Sequence, residues 1–233
     1  EAASGRLGYE LRRHHVAMRV SGGANEVAGL ERAVAEAAGA LGDTDPLVIP
    51  SGAARFDVWC GSFEPPATDA LERYEPPPSI LVAFGKPGEG VGGFRNSYGE
   101  AKQAARIGAL VGETKPQVTS YAQVELVSLL ASDLPRARAF ATGQLGPLAV
   151  SGGTTERLRE TVLAFLVSGG SPTRVAAELF VHKNTVAERI KRAEDLLGHG
   201  VTDRPVELEA ALTLAAALGD AVLVEDSQPR RRS

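Results

Sequence analysis

The chain has 233 residues, 43% of them hydrophobic, which is enough for two modest domains with separate cores. Its formal net charge of −4 excludes a general polyanion binder, so any nucleic-acid contact must be a focused local patch. A single cysteine, Cys60, excludes a disulfide framework and fits a reducing cytoplasm, and no apolar stretch approaches the ~18 residues of a membrane span. Cys60 sits in a strand-like run and reads as a buried free thiol rather than a reactive one. No signal peptide is visible, and the chain opens on Glu1 rather than Met, so we expect a portion of something longer with an upstream sensor for a small-molecule effector.

From Leu11 to Val118 strand patterns alternate with helical ones. His15 to Val20 reads as a strand, and Asn25 to Leu41 as a helix that turns Val27, Leu30, Val34, Ala38 and Leu41 inward, with Asn25 near its cap. Leu47 to Ile49 and Phe56 to Cys60 are short strands around the turn PSGAAR, a hairpin by residue type and spacing. A helix is predicted from Ala67 to Tyr74 between proline clusters, a buried strand from Ser79 to Gly85, and a helix from Ser97 to Val111 with Ala101, Ala104, Ala105 and Ile107 on its apolar side. The intervening GKPGEGVGG has its lysine on the wrong side of the glycines for a phosphate-binding loop and reads as a flexible turn. Gln117 to Thr119 fits a last edge strand, so helices should cover one or both faces of a mixed sheet.

This order, with GAARF at the hairpin, resembles a GGDEF domain, the catalytic fold of diguanylate cyclases. The resemblance places Gly52 and Ala53 at the two glycine positions, Ala54 and Arg55 at the two acidic positions and Phe56 at the aromatic one. SILVAFG and SYGEAKQAARIG resemble the strand and helix that close that fold, with Glu100, Ala101 and Lys102 at its characteristic positions. Phosphoryl transfer between nucleoside triphosphates needs carboxylates to hold magnesium, whereas this chain has alanine and arginine there and no Asp or Glu between Leu11 and Asn25. The expected domain, 1–119, is therefore degenerate and non-catalytic, serving dimerisation or signal relay.

Tyr121 to Leu130 and Pro135 to Leu145 read as two helices of a connector spanning 120–150, and Ser151, Gly152 and Gly153 as a linker. Leu158, Val162, Phe165 and Leu166 then recur at helical spacing, and Gly169 and Gly170 close that helix. Ser171 caps a second helix with Pro172 at its first position, which runs to about Leu179. Ala176 is small where helices cross, Val181 anchors the corner, and a third helix begins near Lys183. Along it Val186, Ile190, Ala193 and Leu197 share the inner side, and Asn184, Glu188, Lys191 and Asp195 lie roughly opposite. Asn184 suits adenine, Glu188 cytosine, and Lys191 a guanine edge or a phosphate. Thr185 and Arg192 on one shoulder and Arg189 nearer the core edge suit phosphates, and Lys183 opens the cation-bearing ridge.

VHKNTVAERIKRAEDLLG, its upstream ETVLAFLVSGGSPTRVAAELF and the downstream ELEAALTLAAAL resemble the C-terminal helix-turn-helix of the PucR/CdaR group of bacterial transcription regulators. The shared signature is Asn184 and Thr185, then Arg189, Lys191, Arg192 and Glu194, then the closing Leu196 to Gly198. Glu188 departs from it, since members often carry an aromatic or neutral residue there. Regulators of this group often place a degenerate GGDEF-like domain directly before the helix-turn-helix, so the two resemblances imply one architecture.

The expected fold is α+β: a degenerate GGDEF-like mixed sheet with flanking helices, then an all-α helix-turn-helix domain over 151–220 and a tail over 221–233. A helix from Val206 to Leu218, apolar on more than one side through Leu208, Leu212, Leu214 and Leu218, argues for a homodimer with two reading helices. Their half-sites on double-stranded operator DNA should lie about 34 Å apart or a multiple of that. The terminal PRRRS reads as a disordered tail able to touch phosphates. His14 and His15 point to opposite faces of a strand, and His182 and His199 have no partners at ligand spacing, so neither metal nor cofactor is expected. Two rival readings are a divergent nucleotide-binding enzyme, against which Ala54 and Arg55 speak, and a ligand-sensing or protein-interaction module without DNA binding.

Overall fold

The structure, a computed structural model, describes residues 4–5, 8–23, 27–111 and 117–225. Asn25, expected at a helix cap, and the terminal PRRRS lie outside the described residues. The chain forms two compact units, Glu1–Ser128 and Leu129–Ser233.

The first unit is built on a sheet of order β2-β3-β1-β4-β6. Its central strand β1 (His14–Ser21) runs antiparallel to β3 (Arg55–Ser62) and to β4 (Leu81–Phe84). The edges are β2 (Leu47–Pro50), joined to β3 by the expected hairpin, and β6 (Val118–Ser120), parallel to β4. Val16, Met18, Val20, Val58, Cys60, Val82 and Phe84 point to one face and pack on Leu30, Ala33, Val34, Ala37 and Ala38 of α1 (Val27–Ala40). The opposite face presents Ala17 and Trp59 to Ala101 of α3 (Gly90–Val111). With helices on both faces, β1 is buried from His15 through Met18 whatever the parity of the residue.

Three elements differ from the sequence reading. The helix predicted from Ala67 to Tyr74 is a single turn, α2 (Asp69–Glu72), placed between proline-rich segments that cannot continue it. GKPGEGVGG is not a flexible turn: it forms the short strand β5 (Gly88–Glu89) on the start of β1 and the first turn of α3, which begins at Gly90 rather than Ser97. Its glycines serve close approach. A Cβ on Gly85 would overlap the Ser97 carbonyl, and one on Gly93 would overlap the Gly88 backbone.

The second unit is helical. The predicted connector divides between the units. α4 (Tyr121–Leu130) is tied to the first by Lys86, whose Nζ donates to Glu125 at 3.0 Å, whereas α5 (Leu134–Leu145) belongs to the second, buries Ala137, Ala141 and Leu145 and packs on α9 (Pro205–Leu218). α6 (Gly153–Val167) starts one turn earlier than its apolar spacing indicates, taking Gly153 out of the predicted linker. Arg159, nearly buried, donates from Nη1 to the carbonyls of Leu148 (2.6 Å) and Val150 (3.0 Å), holding the turn before α6. Leu208, Leu212, Leu214 and Leu218 of α9 are all buried inside this chain. The multi-sided apolarity of α9 thus reflects enclosure within the protomer, and the homodimer argument drawn from it falls.

Candidate nucleic-acid interface

α6 closes on Gly169 and Gly170, both at positive φ, with the Gly170 amide donating to Phe165 O at 2.8 Å. Ser171 Oγ then accepts from the Arg174 amide at 3.4 Å and opens α7 (Pro172–Glu178), with Pro172 at the first position as expected. The corner after α7 is closed by the Val181 amide donating to Ala176 O at 3.0 Å across Phe180, which adopts φ +53°. α8 (Lys183–Leu197) begins immediately beyond and is capped by His182, whose Nδ1 accepts from the Asn184 amide at 3.2 Å. Sequence reasoning missed this cap, because histidine is outside the usual capping set of Ser, Thr, Asp and Asn. Gly198, at φ +77°, ends α8.

A small core fixes the angle between these helices. Val175 and Val186 are fully buried with Ala164, and Phe165, Ala176, Leu179, Val181 and Ile190 pack around them. Val186 and Ala193 therefore face inward, as the spacing predicted, and the other side of α8 faces out. Lys183, Asn184, Glu188, Lys191 and Arg192 are exposed, and none of their side chains has a partner among the described residues. Ala187, unremarked in the sequence reading, is exposed between them and keeps the middle of the ridge low. Thr185 is half-buried. Arg189 is drawn inward: it is half-buried and its Nη1 donates to the buried Thr161 Oγ1 of α6 at 3.2 Å. Of the predicted contact residues the structure thus brings five onto one open ridge and places Thr185 and Arg189 at its inner margin.

The hairpin of the first unit shows the opposite use of polar groups. Ser21 at the end of β1 pairs with Arg55, so the place where a cyclase would gather carboxylates holds a serine hydroxyl and a guanidinium. The nearest acid on the strand, Asp57, is occupied. Its Oδ1 accepts from Arg19 Nε at 2.8 Å, and its Oδ2 from Tyr98 Oη at 2.8 Å and Arg19 Nη2 at 3.2 Å. Burial pushes the Asp57 carboxyl up, but these bonds from Arg19 and Tyr98 outweigh it and hold it below the ordinary carboxylate range. At the other end of β1, His15 is enclosed by Tyr9 and Phe94. The Leu11 carbonyl can only accept, so His15 Nε2 donates to it (3.2 Å) and Nδ1 accepts from Tyr9 Oη (2.9 Å). Burial lowers the pKa of this imidazole and keeps it neutral.

Residues 158–216 match the PucR C-terminal helix-turn-helix domain and residues 1–107 the GGDEF-like domain. A protein of Thermomonospora curvata described as "Uncharacterized protein in pkwA 5'region" is 42% identical over 94 residues, 40% of this chain and 47% of that protein, so the match spans about half the relative's length. The crystal structure of the regulator of polyketide synthase expression from Bifidobacterium adolescentis is 20% identical, covering 94% of this chain and 84% of that one at a TM-score of 0.42. No helix among the described residues is long and apolar enough to cross a membrane. The chain thus carries a GGDEF-like domain followed by a PucR C-terminal helix-turn-helix domain, and the outer side of α8 in that second domain is open.

Proposed function

We propose that the chain regulates transcription in the cytoplasm by seating α8 in the major groove of operator DNA, with Asn184 and Glu188 towards base edges, Lys191 towards a guanine edge or a phosphate, and Lys183, Thr185, Arg189 and Arg192 towards the backbone. The observation that carries this reading is the ridge itself: five polar side chains without partners among the described residues, on the outer side of a helix whose inner side is locked by Val175 and Val186. Beyond its bond to Thr161, Arg189 has guanidinium N–H groups with no partner among the described residues, so it serves as a brace that also offers a phosphate donor. The GGDEF-like unit acts as a non-catalytic module, a reading supported by Ala54 and Arg55 at the metal-binding positions and by the complete engagement of Asp57. Two copies act together on a symmetric site, and a small-molecule effector sensed outside this unit sets their activity.

The test is a binding selection from random duplex DNA with the whole chain and with the Lys183→Ala/Asn184→Ala/Lys191→Ala variant. The wild-type chain is expected to recover a two-fold symmetric motif with half-sites about 34 Å apart or a multiple of that, and the variant none. Failure of the wild-type chain to enrich any motif, or an identical motif from both proteins, overturns the proposal. Incubation with GTP and magnesium is expected to leave the nucleotide intact, and formation of a cyclic dinucleotide would count against a non-catalytic first unit.

A further inference from the structure

Phe180 carries two independent penalties. It lies in the left-handed region at φ +53°, where a Cβ clashes with the backbone and which glycine or asparagine occupies with less strain. It is also 95% exposed, more than any other large hydrophobic among the described residues. The left-handed conformation has a structural reason: Val181 N–H reaches back to Ala176 O to close α7, and the residue between must turn left-handed. That geometry calls for glycine and gives no reason for a phenyl ring. A strained backbone that also presents an aromatic ring to water points to a partner that covers it.

The surroundings decide the kind of partner. Of the exposed residues that flank the ring along the chain, Glu178, His182, Lys183 and Asn184 are polar or charged, and Ala177 adds only a methyl group. A protein partner docks on a contiguous apolar patch, and this stretch provides only one ring. The ring precedes by four residues Asn184, the first base-reading position of α8. In the major groove the apolar group available to such a ring is the thymine C5-methyl. We infer that Phe180 is a specificity-determining contact of the interface, packing on a thymine methyl beside the base edge read by Asn184. The inference rests on the DNA-binding reading above and adds a residue and a base to it.

The test uses the whole chain, the duplex recovered by the selection, and the same duplex with deoxyuridine for every thymine, which removes only the methyl groups. Phe180→Gly is expected to raise Tm by about 2 °C by relieving the backbone. It should weaken binding about five-fold and leave the salt dependence unchanged, since no charge is lost. Phe180→Asn, which tolerates the left-handed conformation, should weaken binding equally, separating loss of the ring from gain of flexibility. Deoxyuridine should weaken the wild-type chain more than either variant. Unchanged affinity in Phe180→Gly, an equal loss with deoxyuridine in all three proteins, or a change in sedimentation showing that the ring packs on a second copy overturns the inference. A wild-type chain that recovers no duplex overturns the DNA reading itself, which is a different result from a recovered duplex that ignores Phe180.

Discussion

The Arg19–Asp57–Tyr98 site of the first unit and the outer side of α8 in the second treat polar side chains in opposite ways. In the GGDEF-like unit Arg19, Asp57 and Tyr98 close on one another, and Tyr9 and His15 do the same within the aromatic cluster. In the helix-turn-helix unit Lys183, Asn184, Glu188, Lys191 and Arg192 are held out on a helix whose other side is packed, with no partner among the described residues. Buried polar groups must be paired, so the first arrangement is what a scaffold requires, whereas an exposed row of donors and acceptors is hydrated and open to another molecule. The difference supports the proposed interface more sharply than net charge does, because the chain as a whole is acidic.

If that contrast is right, substitutions in the two regions should separate folding from binding. The largest expected effect is in the scaffold. Asp57→Ala strands the Arg19 guanidinium and the Tyr98 hydroxyl and should destabilise the first unit by about 3 kcal/mol. The measurement is urea unfolding followed by Trp59, the single tryptophan, which lies in that unit. An unshifted midpoint would remove the network from the account of the fold. Asn184→Ala should do the converse, leaving the Trp59 midpoint in place while weakening binding to the selected duplex by about 30-fold, or ~2 kcal/mol.

The next effect is a pH dependence. The folded-state pKa of His15 is lowered, so above the unfolded value of about 6.5 both states are neutral and its contribution is fully present. As pH falls below ~6.5 the unfolded chain takes up a proton that the folded one refuses, and stability declines. Between pH 7.5 and 5.5 the wild-type chain should lose up to about 1 kcal/mol that His15→Gln does not lose, and parallel pH profiles for the two proteins would refute the assignment. The smallest effect sharpens the ridge. Lys191→Ala should weaken DNA binding a few-fold and reduce the slope of log K against log salt by about 0.9 if the ammonium neutralises one phosphate. An affinity loss with the slope intact would move Lys191 to a base edge.

Much of this was legible in the chain because periodicity and capping are local. The spacing of Val186, Ile190 and Ala193 fixed the inner side of α8, and Ser171-Pro172 and Gly198 fixed helix ends to within a residue. The hairpin between β2 and β3 followed equally from its turn residues. What escaped were effects of close packing. The glycines from Gly85 to Gly93 read as freedom but serve contact between backbones, and the apolar sides of α9 read as a dimer face but are covered by the same chain. Spacing put Arg189 near the core edge of α8, yet its reach to Thr161 depends on where α6 crosses.

The sequence by itself determined that a sheet-and-helix domain, with Ala54 and Arg55 at its hairpin, precedes a helix-turn-helix with a polar third helix, since these rest on residue identity and short-range spacing. Tertiary structure alone decided which polar groups are consumed inside the fold and which remain open, that Arg189 is a brace, and that Phe180 stands strained and exposed at the corner. The reason is physical: hydrogen-bond partners and burial are supplied by segments distant along the chain, and one-dimensional patterns do not record which segments meet.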